Sequence, residues 1–116
     1  MMVFVVESQS IRTMTLSQNP LQHMEEVLGG YATRRELKLY EHSIDSYMHS
    51  MEMGEIEKMR IIDDLKPIIE GGDVEMFFNG EGAIRGLPIN LYATILSGES
   101  LVNGPAIFVC HHGESE

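Results

Sequence analysis

A chain of 116 residues with 43% apolar side chains has the size of one domain, residues 1–116, with a modest core, and it is too apolar to be disordered over most of its length. Eighteen acidic residues against eight basic ones give a formal charge of −10, which repels nucleic-acid phosphates and anionic lipid and suits a basic protein partner. The single cysteine, Cys110, excludes an intrachain disulfide, and no apolar run approaches the ~20 residues of a bilayer span, so a reducing, cytoplasmic setting is expected.

Met2 to Val6 is β-branched and aromatic and predicts a strand. Glu7 ends this run, which lacks a positive flank and is too short for a secretory signal. Ser10 to Leu16 alternates, with Ile11, Thr13 and Thr15 on one side, and the stretch from Glu7 to Ser10 predicts a hairpin turn. Asn19-Pro20 then has the form of a helix cap followed by a first-turn proline. Leu21, Met24, Val27 and Leu28 supply a helical stripe over about residues 20–28, and Gly29-Gly30 ends it.

Thr33 and Glu36 have the spacing of a capping box, in which each side chain satisfies a free amide at a helix start. A long helix or helix pair is therefore expected over residues 34–66. Leu37, Tyr40, Ile44, Tyr47, Met48 and Met51 supply one apolar face; Ile56, Met59, Ile62, Leu65 and Ile69 supply a second. Glu55, Glu57, Lys58, Asp63, Asp64 and Lys66 fall on the wet side. Gly54 interrupts the pattern and fits either one bent helix or an antiparallel pair. Pro67 disfavours helix at Lys66, where regular helix is expected to end or kink, and Gly71-Gly72 closes the segment.

Val74 to Phe78 predicts another strand, and Asn79-Gly80 is the strongest hairpin dipeptide in the chain. Ile89 to Leu96 alternates and predicts a strand, in competition with a short helix opened by Pro88 and closed by Gly98. Asn103-Gly104-Pro105 is a turn before a last strand, Ala106 to Cys110. Strands at both ends and helices between them predict an α+β fold, with an antiparallel sheet packed against a central helical block.

Several residue groups have the chemistry of a site. Gly80, Gly82 and Gly86 follow a predicted strand, which would suit a nucleotide phosphate if a helix began directly after them. Leu87-Pro88 intervenes and no lysine sits in the loop, so an ordinary turn is preferred. Cys110, His111 and His112 offer zinc-ligand chemistry, with His23, His42 or His49 as further donors. Adjacent strand residues point to opposite faces, however, and no finger spacing is present, so a buried cysteine beside a polar tail is preferred. A nucleophilic Cys110 would need a lowered pKa, which acidic surroundings oppose. The pairs Asp63-Asp64 and Glu55-Glu57 do not share a helix face. His42 and His49 do, two turns apart, and suit a solvent-facing stripe. No catalytic residue, metal or cofactor is assigned.

The favoured function is a non-enzymatic protein-binding module, an inhibitor or adaptor. Glu41, Asp45, Glu52, Glu55 and Glu57 occur without an intervening Lys or Arg, a strip able to imitate phosphates toward a basic, nucleic-acid-binding partner. Tyr47, Met48 and Met51 add deformable apolar contacts to the same segment. From Pro67 onward Arg85 is the only basic residue against seven carboxylates, a charge of −6. Direct nucleic-acid or membrane binding is not expected. A homodimer through the helical faces or an exposed strand edge is a second expectation. The alternative is a small-molecule- or nucleotide-binding protein, or a metal-dependent enzyme, using the Gly80–Gly86 loop or the Cys110–His112 end. The small, acidic, methionine-rich composition resembles that of many phage and mobile-element accessory proteins.

Overall fold

The β-branched start of the chain forms β1 (Met2–Glu7), which turns through Ser8 and Gln9 into β2 (Ser10–Thr13), with Glu7 opposite Ser10. The computed structural model describes residues 1–98 and 101–111. β2 stops short of Leu16 because Met14 and Leu16 turn into the apolar cluster beneath the first helix. That helix, α1 (Pro20–Leu28), has Pro20 in its first turn and ends at Gly29, whose φ of +78° is left-handed. Asn19 precedes it without capping; its side chain donates to Gln22 instead.

Residues 32–38 depart from expectation. They form β3 (Ala32–Lys38), not a helix start, and pair antiparallel with β4 (Asp73–Asn79). The capping-box spacing is a local signal, whereas tertiary pairing with an apolar strand satisfies every second amide of this segment. Helix begins only at α2 (Glu41–Ser50), and Gly54 then divides it from α3 (Glu55–Ile69). Pro67 does not end α3, which runs on to Ile69. The carbonyl deprived of an amide by Pro67 belongs to Asp63, on the solvent side.

Two further expectations are corrected after β4. Asn79-Gly80 makes no hairpin, because among the described residues β4 pairs only with β3 and β5 (Ala106–Cys110). Asn79 is buried; its amide donates to the Leu28 carbonyl at 3.4 Å and its side-chain oxygen accepts from the Glu81 N–H at 2.9 Å. Residues 91–97 are helix α4 (Leu91–Ser97), the competing reading, and not strand; Asn90 rather than Pro88 caps its start, and Gly98 closes it as that reading expects. Tyr92 through Ser97 are all buried, so apolar residues face every direction and no period separates helix from strand.

The five strands make one antiparallel sheet in the order β2-β1-β5-β4-β3, an α+β fold. β5 lies at its centre and is buried along its whole length. α1 covers one face over Val3, Val5, Ile107 and Val109. α2, α3 and α4 cover the other, over Phe4, Val6, Val74, Met76 and Phe108. Among the described residues no helix is long and apolar enough to cross a membrane.

Candidate functional site

The α2–α3 pair builds the most chemically distinctive surface. α2 ends in a tight turn: the amides of Met51 and Glu52 donate to Met48 and His49 carbonyls, at 3.1 and 3.0 Å. Glu52 takes a left-handed φ of +62°, and it is the only non-glycine residue to do so among the described residues. Gly54 is extended and its carbonyl accepts from Lys58, which starts α3. Glu41, Glu55 and Glu57 occupy first turns, where the positive ends of the helix dipoles favour carboxylates.

A groove runs between the two helices, with Glu41 and Asp45 on α2 facing Glu55, Lys58, Met59, Ile62, Asp63 and Lys66 on α3. Four carboxylates there meet two ammonium groups, a net charge of −2. Lys58 is the surprise. It is only 4% exposed, with its stem between the helices and its Nζ 3.0 Å from Glu55 and 3.6 Å from Asp45. The Glu55 hydrogen bond, aided by the Asp45 charge and opposed by burial, raises its pKa and keeps it protonated. Lys58 thus offsets one of the two charges on Asp45 and Glu55 from within. Glu41, Glu52 and Glu57 have no ion-pair partner among the described residues and stay exposed.

Burial of Lys58 fixes the phase of α3. The buried residues are Lys58, Ile61, Leu65, Ile68 and Ile69, so of the expected stripe Ile56, Met59, Ile62, Leu65 and Ile69 the last two are buried, Ile62 is half-buried against the core, and Ile56 and Met59 face outward. Ile56 and Met59 are 86% and 69% exposed and one turn apart; Met59 lines the acidic groove, and Ile56 follows its lining residue Glu55 in the chain. Sequence reasoning missed both residues as surface contacts, and missed Lys58 as an internal counter-ion. Among the expected contact residues, Met48 is fully buried in the core and is unavailable to a partner. Tyr47 is half-buried in a separate groove between α2 and α4, away from the acidic residues. Met51 remains exposed at the turn.

The other candidates are occupied by structural work. In the glycine segment, the amides of Gly82, Arg85, Gly86 and Leu87 donate to carbonyls of residues 79, 81, 83 and 82. A Cβ on Gly82 would lie 2.3 Å from the Asn103 carbonyl oxygen, so this glycine permits close packing. Cys110 is buried on β5, and desolvation pushes its thiol up to about 11, away from nucleophilic behaviour near neutral pH. His111 Nε2 sits 3.1 Å from Glu75, which also pairs with Arg34. The His111 hydrogen bond first, then Arg34, holds the Glu75 carboxyl below its ordinary value. His112 lies outside the described residues. His23 accepts from the Ser17 amide, while His42 and His49 are exposed on α2. Among the described residues no three metal-ligating side chains converge. No family model, curated protein or solved structure matches this chain.

Proposed function

We propose that this chain is a non-enzymatic protein-binding module, an inhibitor or adaptor, whose α2–α3 face takes a basic segment of a partner protein. The observation that carries this reading is the exposure of Ile56 and Met59 beside a groove lined by Glu41, Asp45, Glu55 and Asp63. Large exposed apolar side chains rimmed by charge are the composition of a binding surface. A cationic amphipathic segment matches both features: its apolar side chains meet Ile56 and Met59, and its Lys or Arg residues meet the unpaired Glu41, Glu52 and Glu57. Nucleic-acid-binding proteins are one source of such segments. The overall charge of −10 turns phosphates themselves away. A cytoplasmic setting, in which Cys110 stays a thiol, belongs to the same reading. Self-association is a second reading, favoured by the outer edge of β3, which pairs with no strand among the described residues.

The test is fluorescence anisotropy with a labelled, lysine-rich amphipathic helical peptide, titrated with the full chain at several salt concentrations. Binding should weaken as salt rises. The triple variant Glu41→Gln, Glu52→Gln, Glu57→Gln should lose roughly tenfold in affinity and flatten the salt dependence, at about 0.2–1 kcal/mol for each exposed charge. Ile56→Ser with Met59→Ser should lose affinity by a similar factor with the salt dependence intact. No binding, or affinity unchanged in both variants, contradicts the proposal.

A further inference from the structure

β3 ends the sheet on one side and pairs only with β4 among the described residues. Its backbone phase can be read from the ladder. β3 and β4 pair with residue numbers summing to 111, as in Leu37 with Val74. The Leu39 amide continues this register, donating to Gly72 at 2.7 Å. Residues 33, 35 and 37 therefore direct their N–H and C=O groups toward β4, and Ala32, Arg34, Glu36 and Lys38 direct theirs outward, because antiparallel bonding alternates. Apart from the Ala32 N–H, which donates to the Glu25 carboxylate at 3.4 Å, the outward groups pair with no strand among the described residues, along a seven-residue strand longer than the four residues of the opposite edge strand β2.

The side chains on this edge have a self-complementary order. If two copies of β3 meet antiparallel about a two-fold axis at Arg35, Arg34 stands opposite Glu36 of the second copy and Glu36 opposite its Arg34. Thr33 meets Leu37, and Ala32 meets Lys38. This register also places outward backbone groups opposite outward backbone groups, giving about six hydrogen bonds: two for each Arg34–Glu36 pair and one for each Ala32–Lys38 pair, where Glu25 holds the Ala32 N–H. Axes at Arg34 or Glu36 would place like charges opposite one another. The axis at Arg35 brings two arginines together, but each guanidinium is drawn back toward β4, over Phe78 at 6.0 Å. Local charge also favours this edge. Arg34, Arg35 and Lys38 are balanced by Glu36, Asp73 and Glu75, so the edge is near neutral on a chain of −10.

We propose that a second copy of this chain occupies the β3 edge, joining two five-stranded sheets into one continuous sheet through β3–β3 pairing in the Arg35-centred register. This gives the self-association reading a defined interface. It is independent of partner binding by α2 and α3, which leaves the outer edge of β3 untouched.

The experiment is sedimentation equilibrium on the full chain and on two charge variants, with circular dichroism to verify folding. The wild-type chain should be dimeric at tens of micromolar. Glu36→Arg and Arg34→Glu should each lower the dimerisation constant by about tenfold or more, because each places like charges opposite twice. Mixing the two variants should restore a dimer, since the two carboxylates on the edge of one chain then face the two guanidinium groups on the edge of the other. A wild-type monomer at several hundred micromolar would overturn the proposal and mean that the charges protect the edge. Dimers of unchanged strength in both variants, or folded variants that stay monomeric when mixed, would overturn it as well. The Glu41, Glu52, Glu57 triple variant should keep the dimer, which separates failure of this proposal from failure of the binding one.

Discussion

Glu52 shows how single residues at the candidate site depart from what stability alone would select. A left-handed backbone costs a residue with a Cβ about 1–2 kcal/mol, and glycine removes that cost. A carboxylate held there, exposed and unpaired, is what a binding role would retain. Glu52→Gly should therefore raise stability by about 1 kcal/mol in urea unfolding while weakening the basic peptide. A variant that gains stability and keeps full affinity would place Glu52 outside the contact. Lys58 shows why the site was only partly legible. The acidic run from Glu41 to Glu57 was visible as sequence, yet its internal counter-ion lies one residue beyond it. Lysine is rarely buried without partners, so nothing local marked Lys58 as an inward residue. One of its partners, Asp45, comes from the other helix. The expected stripe holds at Leu65 and Ile69, while in the first turns of α3 Lys58 and Ile61 face inward in place of Ile56 and Met59.

At the scale of elements, β1, the β1–β2 turn, α1 and β5 were legible because strand composition, proline and glycine act locally and agree with the tertiary fold. β3 and α4 were not. Thr33 to Lys38 has both a helix-start spacing and a two-residue alternation, and only its pairing with the apolar β4 decides between them. α4 depends on Asn90, whose side chain ties three elements together. Its Oδ1 accepts from the Ala93 amide at 3.0 Å, and its Nδ2 donates to the carbonyls of Val6 and Gly104 at 2.8 and 2.9 Å. The first contact caps α4; the others fasten it to the end of β1 and to the turn before β5. Removing this side chain costs the cap and two buried hydrogen bonds, to the Val6 and Gly104 carbonyls. Asn90→Ala should destabilise the chain by about 2–4 kcal/mol, measured by chemical denaturation. A loss under ~1 kcal/mol would show that water or a shifted backbone replaces these bonds.

The whole molecule divides its surfaces between two opposed faces of one sheet. α1 closes one face, three helices close the other, and the acidic groove lies on the outer side of that three-helix layer. In the proposed function, a net charge of −10 would give long-range attraction for a cationic partner, and the exposed Ile56 and Met59 would supply short-range contact. The near-neutral β3 edge is a third surface, available to a second copy without competing for the groove. The most direct measurement of partner binding is an amide chemical-shift titration of the isotope-labelled chain with the lysine-rich amphipathic peptide. Shift changes should concentrate in residues 41–66, strongest around Glu52, Ile56 and Met59 and weaker at higher salt. Changes confined to α1 and the β1–β2 hairpin, or no changes at millimolar peptide, would contradict the assignment of the α2–α3 face as the binding surface.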